Sequence, residues 1–327
     1  MSLGIPGLDA SLESELQRDM EQVENLLRSH IVGKYPLVIE TSRHLVEAGG
    51  KRLRPLLALL ASRFGTPNQD VIKSAVVCEL THLATLYHDD VMDEAPLRRG
   101  VESANNRWGN TVAILTGDYL FAKTSALLAD LGPEAVRIHA ETFERLCIGQ
   151  IMETQGKSDG LSLFDHYTQV IADKTGSLIA TSARYGSMFA GVEQSIIEKL
   201  ADYGERIGLL FQLADDIIDI NSESAESGKT PGTDLREGVP TLVTVRIIES
   251  TDPADANLKS LLSAPIHDEA VVLSTLRALR THRAMVESRE LLEQYSNEAK
   301  AMIADLPACA AKEALIHLCD AIIHRTA

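Results

Sequence analysis

Two clusters of aspartates stand out, Asp89-Asp90-Val91-Met92-Asp93 and Asp215-Asp216-Ile217-Ile218-Asp219. Each reads DDxxD. Residues four apart share one face of a helix, so Asp89 pairs with Asp93 and Asp215 with Asp219, each pair separated by about 6 Å of helical rise. Carboxylates at that spacing can share hard divalent cations, with water or phosphate oxygens completing the shell. A solvated acidic face is the plainer alternative. The residues leading into each cluster argue against it, because Ser74–His88 and Ile207–Ala214 are largely apolar and predict buried helices. Like charges there need a counter-charge, and Mg²⁺ is one. Several such ions would neutralise charge building up on a departing diphosphate.

Basic groups that could meet a phosphate lie in several places. Gly49-Gly50-Lys51-Arg52-Leu53-Arg54-Pro55 opens a predicted helix, and glycines before a helix N-terminus let an anion approach. Lys51 and Arg54 could hold that anion or form a basic surface turn. Arg98 and Arg99 follow the first cluster, where they could pair with its acids or reach the same phosphate. Lys174-Thr175 interrupts an apolar stretch, and Lys229 lies in a loop rich in Gly and Pro, able to close over an anion or stay solvated. His82 and Gln212 fall on the aspartate faces of their helices, two turns and one turn upstream. Either could contact a ligand or be a satisfied core residue.

The elements that must carry these groups are helices. The 327 residues include 45% hydrophobic and only 4% aromatic residues, and period-two alternation is scarce. Helical patterns cover 9–31, 55–64, 70–93, 111–130, 133–155, 165–190, 193–220, 239–250, 268–299 and 308–325. An all-α single domain over 1–327 is expected, with 222–240 as its longest loop. A formal net charge of −16 repels phosphate backbones and makes nucleic acid a poor partner. Cys78, Cys147, Cys309 and Cys319 are scattered without CxxC spacing, which predicts reduced thiols. No apolar stretch nears the ~20 residues a membrane span needs. The N-terminal residues lack a basic flank and an apolar run, so a cytoplasmic enzyme is expected.

Taken in order, GGKRLRP, HLATLYHDDVMDEAPLRRG, GDYLFA, KTGSL, FQLADDIIDI and GKTPGTDLREG resemble the trans-isoprenyl diphosphate synthase (polyprenyl synthetase) family over residues 40–245. The resemblance implies an all-α bundle of about ten or more helices around a central cavity, a homodimer, and three Mg²⁺ per active site. It implies Asp89 and Asp93, helped by Asp90, and Asp215, with Asp216 and Asp219, as the metal-binding groups. Lys51, Arg54, His82 and Arg99 would hold the diphosphate of isopentenyl diphosphate. Arg98, Lys174, Thr175, Gln212 and Lys229 would hold the allylic diphosphate. The chain departs from many members in having Val239 after Gly238 where they have lysine, and Val243 where they have proline.

Thr81, Thr85, Asp89 and Asp93 form a ladder along one face. Short-chain members place Phe or Tyr just upstream of the first motif, as a floor to the prenyl tail. Here Ala84 and Thr85 occupy those positions, which predicts a product longer than geranylgeranyl unless another helix supplies a plug. A geranylgeranyl synthase is the nearest alternative. A class I terpene cyclase is the next: Ser222 and Glu226 fit its second metal motif, but Ile218 replaces the first ligand. A regulatory subunit would tend to lose the aspartates kept here.

Overall fold

The computed structural model describes residues 3–221 and 231–325. Lys229, Ser222 and Glu226 therefore lie outside the described residues. Sixteen α-helices account for most of the described chain, with one two-stranded hairpin, so the all-α expectation holds. Contacts divide the chain into two compact units. The first comprises Met1–Phe143, Leu178–Gly204 and Asp305–Leu315; the second comprises Glu144–Ser177, Glu205–Ala304 and Ile316–Ala327. Most of the boundaries fall inside helices; the one at Ala304/Asp305 lies in the turn after residue 302.

The first unit is built on α4 (Gln69–Met92). Asn68 caps it by accepting from the backbone N–H groups of Asp70 and Val71, which satisfies donors the helix cannot use itself. Val76, Val77, Leu80, Leu83, Ala84 and Tyr87 of α4 are fully buried. Packed on it are α1 (Ala10–His30), α3 (Leu53–Ser62) and α6 (Asn110–Leu131). α1 buries Leu12, Leu16, Met20, Val23 and Leu27 at helical spacing. Two helices in this unit escaped the periodicity reading. α2 (Pro36–Glu47) starts with Pro at its first turn, where the missing N–H costs nothing. α5 (Ala104–Trp108) is five residues long, too short to show a period.

α6 corrects the expectation about apolar stretches. It has 22 residues and a mean hydropathy of 1.3 over its best window, enough by length and composition to cross a membrane. Ala113, Gly117, Leu120, Leu127 and Leu128 spend part of that apolarity inside the unit, whereas Ile114 and Leu115 stay 42% and 60% exposed.

In the second unit, α8 (Leu163–Ile171) leads into a π-helical turn at Ala172–Gly176; the chain continues as α9 (Ser177–Phe189), which from Leu178 on belongs to the first unit. The sequence reads this as unbroken helix. α10 (Gln194–Asn221) carries the second aspartate cluster. α11 (Thr233–Glu237), α12 (Leu242–Glu249) and α13 (Ala256–Leu261) follow. The stretch expected as one helix over 268–299 is two, α14 (Glu269–Thr281) and α15 (Arg283–Met302). His282 adopts extended backbone between them, and its ring accepts from the N–H of Ala284, so a new N-terminus begins there. α16 (Ala310–His324) ends the described chain.

Candidate active site

In the first unit the last turn of α4 presents Asp89, Asp90 and Asp93 differently. Asp89 is half-buried, Asp93 is exposed and Asp90 is fully buried. A tight hairpin follows, in which β1 (Leu97–Arg98) pairs with β2 (Val101–Glu102). Its two turn residues, Arg99 and Gly100, both have positive φ, as a type I′ turn requires. Arg98 ends the strand and Arg99 turns into the left-handed region, so the two arginines part. Arg98 donates from Nε to Asp90 Oδ1 and lies 3.8 Å from Asp93. Arg99 donates to the carbonyls of Leu45 and Gly49. Burial raises the pKa of Asp90 and the charge of Arg98 opposes that rise. Asp90 Oδ2 is buried with no hydrogen-bond partner among the described residues.

The GGKRLRP segment comes close to Arg99. A Cβ on Gly50 would lie 2.9 Å from the guanidinium carbon of Arg99, so a larger residue there would push that side chain aside. Arg52, whose left-handed φ of 50° is unusual for a side-chain-bearing residue, turns its guanidinium inward to Glu24 and Glu79. Arg54 is a desolvated cation whose pKa is lowered by burial, with Glu79 as its main compensating charge. His82 has its pKa driven well below 6.5, first by burial and then by Arg54 and Arg99, so it is neutral at pH 7. Arg54, His82 and Arg99 therefore share one electropositive region beside Glu79, and Lys51, exposed, follows Gly50 directly.

On the same helix, Thr85 donates to the carbonyl of His82 and remains half-buried. Ala84 is fully buried where α6 presses on α4; a Cβ on Gly117 would lie 3.0 Å from the Ala84 carbonyl oxygen. Thr81 gives its hydroxyl hydrogen to Val77 O at 2.8 Å and lies 2.9 Å from His139 Nε2, so His139 is the donor in that second bond. His139 lies on α7 (Pro133–Gln155), and its ring begins an aromatic row through Phe143 to Phe121. Composition offered no sign of this row.

In the second unit Asp216 is the buried member of its cluster, and Asp215 and Asp219 are half-buried. Tyr167 Oη, Gln212 Nε2 and Leu242 N all donate to Asp216. Burial pushes its pKa up to about 6, and those donors oppose the rise. Gln212, half-buried one turn before the cluster, donates to Asp216 at 3.1 Å. Asp215 accepts from Arg325 at 2.6 Å, a partner over a hundred residues away in sequence.

Lys174 and Thr175 lie on the π-helical turn, a feature that recurs at functional sites. The Lys174 ammonium pairs with Glu153. Arg145 grips the turn from α7, donating to Asp173 at 2.7 Å, to both oxygens of Glu205 at 3.0 and 2.9 Å, and to Ala172 O at 3.3 Å. Those bonds raise its pKa. Val239 gives its N–H to Asp234 O at 2.9 Å, and Val243 is buried in α12.

Among the described residues no group of three His, Cys, Asp or Glu side chains could hold a metal alone. Each cluster instead offers oxygen donors only, with one member buried, an arrangement that suits a hard divalent cation whose shell is completed by water or phosphate.

All-α architecture, paired DDxxD helix ends and nearby guanidinium groups together define a prenyl-transferring synthase. The chain belongs to the polyprenyl synthetase family, whose model matches residues 35–279. It is 45% identical over 320 residues to a nonaprenyl diphosphate synthase of Mycobacterium tuberculosis, covering 97% of this chain and 95% of that one. Its structure matches a geranylgeranyl pyrophosphate synthase from Corynebacterium glutamicum, solved with calcium and isoprenyl diphosphate, with a TM-score of 0.87 and 43% identity over 97% of this chain and 98% of that one. A decaprenyl diphosphate synthase from Rhodobacter capsulatus matches with a TM-score of 0.88 and 31% identity over 97% and 99%.

Proposed function

We propose that this chain is a Mg²⁺-dependent prenyltransferase that condenses isopentenyl diphosphate head-to-tail onto an allylic diphosphate and builds a long all-trans polyprenyl diphosphate. The observation that carries this reading is the pair of DDxxD helix ends, each with an Arg on its carboxylates. The names of relatives that make nonaprenyl and octaprenyl diphosphates support the long product. So do the small Ala84 and Thr85, although geranylgeranyl synthases among the matched structures keep the shorter product as the alternative.

Bound through Asp89, Asp93 and Asp215, Mg²⁺ would offset the charge that develops on the departing diphosphate. We assign the buried Asp90 and Asp216 to shaping and charging the two clusters, with Asp219 beside Asp215 as a further metal-facing carboxylate. Arg98, Lys174, Thr175 and Gln212, with Lys229 from outside the described residues, belong to the allylic diphosphate. Lys51, Arg54, His82 and Arg99 belong to isopentenyl diphosphate. A neutral His82 can donate to a phosphate oxygen without adding charge. Once the allylic C–O bond breaks, the isopentenyl double bond attacks the allylic carbon and a proton is lost to the departing diphosphate. Repetition extends the tail past Thr85 and Thr81.

We further propose that both units form one synthase domain, since the family match runs through both. The exposed Ile114 and Leu115 of α6 support a homodimer, because adjacent bare apolar side chains favour a partner. A cytoplasmic setting fits two charged, water-soluble substrates.

Purified protein incubated with Mg²⁺, labelled isopentenyl diphosphate and farnesyl diphosphate tests the reading. A ladder of dephosphorylated products ending beyond geranylgeraniol, abolished by EDTA, is expected. A single geranylgeraniol band overturns the long product, and absence of elongation with every allylic primer overturns the synthase.

A further inference from the structure

Arg52 stands between Lys51 and Arg54, and its guanidinium turns inward. It is 4% exposed, and its guanidinium is held by two carboxylates and two carbonyls. Nε donates to Glu24, Nη1 to Glu79 at 2.8 Å and to Gly49 O at 3.3 Å, and Nη2 to Val46 O at 3.1 Å. Four of its five N–H donors are thus committed to the protein, which makes it a poor ligand for a diphosphate. It sits in the left-handed region, a conformation that costs a side-chain-bearing residue energy and persists only where surroundings impose it.

Those surroundings have a common centre. Glu79, 2% exposed on α4, accepts from Arg52, lies 3.9 Å from Arg99, and is the main charge compensating Arg54. Arg52 and Arg99 together hold the carbonyls of Leu45, Val46 and Gly49. These lie in the last turn of α2 and just beyond it, where carbonyls lack helical partners and the helix dipole favours cations. Buried Glu79 thus lets three guanidinium groups gather on one short loop that their mutual repulsion would otherwise spread.

We infer that Arg52, anchored by Glu79 and Glu24, is the positioning residue of the isopentenyl diphosphate site: it fixes the Gly49–Arg54 loop so that Lys51 and Arg54 are aimed at the diphosphate before it binds. The inference rests on the reading that Lys51 and Arg54 hold that diphosphate. Preorganisation of this kind lowers the cost of binding one substrate and leaves the other alone.

Steady-state kinetics with each substrate varied in turn provides the test. Glu79→Gln keeps the shape of the side chain and removes its charge. It is expected to raise KM for isopentenyl diphosphate about tenfold while KM for the allylic diphosphate moves by less than about twofold. Arg52→Gly, which tolerates the left-handed backbone, is expected to do the same. In a Lys51→Ala background the Glu79→Gln effect should shrink, since the two act through one contact. If Glu79→Gln fails to fold, Arg52→Lys reads the same pair of constants. Should Lys51→Ala raise KM for isopentenyl diphosphate while the Arg52 and Glu79 variants do not, the positioning role is overturned and the diphosphate reading survives. Should Lys51→Ala and Arg54→Ala both leave that KM unchanged, the reading falls and the inference with it. Equal rises in both KM values overturn the positioning role as a general loss of structure.

Discussion

Tyr167 gives its hydroxyl hydrogen to Asp216, so the middle carboxylate of the second aspartate cluster is tied to α8 and not turned to solvent. Leu242 N reaches the same oxygen at 3.0 Å, which adds the first residue of α12. Three segments distant in sequence thus converge on one buried acid. The first cluster repeats the pattern with a different partner: Arg98, from the hairpin, binds buried Asp90. In both clusters one aspartate organises the helix end and its neighbours are left more accessible.

Tyr167→Phe is therefore expected to leave the fold intact at a cost of about 1–2 kcal/mol, because it removes one donor from a buried acceptor. Activity should survive with a Mg²⁺ requirement several-fold higher, since Asp215 and Asp219 lose their backing. Thermal unfolding and Mg²⁺ titration of the condensation rate measure the two effects. Equal Mg²⁺ curves for the variant and the parent would show that Asp216 does not steady its neighbours.

Product length should respond to Thr85 more cleanly than to Ala84. Ala84 is closed against α6 at Gly117, and forcing a ring into such a contact costs about 1–3 kcal/mol. Thr85 is half-buried and its hydroxyl is satisfied by the carbonyl of His82. Thr85→Phe is expected to shorten the product while the protein stays as stable as the parent, whereas Ala84→Phe should lower the melting temperature. Chromatography of dephosphorylated products decides the first point. An unchanged ladder from Thr85→Phe would mean that the tail runs elsewhere.

Much of this was legible from residue types at fixed spacing. Asp89, Asp93, Asp215 and Asp219, the arginines and the helices that carry them are local patterns, and local geometry follows from period and caps. What stayed hidden depends on long-range closure. Arg145 meets Glu205 sixty positions away, and Asp215 meets Arg325 across 110; no spacing rule connects them. The π-helical turn at Ala172–Gly176 was invisible because its residues read as ordinary helix. The break at His282 and the five-residue α5 and α11 escaped because periodicity needs several turns to register.

Acid should weaken the first unit through His139. Burial lowers its pKa to about 4, below the 6.5 of a free imidazole, so the folded protein binds fewer protons than the unfolded chain between those values. Stability then rises with pH across roughly 4 to 6.5 and is flat above, worth a few kcal/mol at most. His139→Gln cannot titrate but can still donate to Thr81. It should flatten that part of the melting-temperature profile. A parallel profile in the variant would assign the acid lability to other groups.

Arg145 provides the strictest check on the allylic side. Its guanidinium joins Asp173, Ala172 and Glu205 around the turn that carries Lys174. Arg145→Lys keeps one charge but loses the fork that spans both carboxylates. We expect KM for the allylic diphosphate to rise about five- to tenfold, with KM for isopentenyl diphosphate unmoved, as Lys174 loses its placement. Lys174→Ala should raise the same constant further, and the double variant should equal Lys174→Ala alone because both act through one contact. Additive losses in the double variant would make Arg145 a support of general stability. Unchanged allylic KM in Lys174→Ala would instead remove Lys174 from the site.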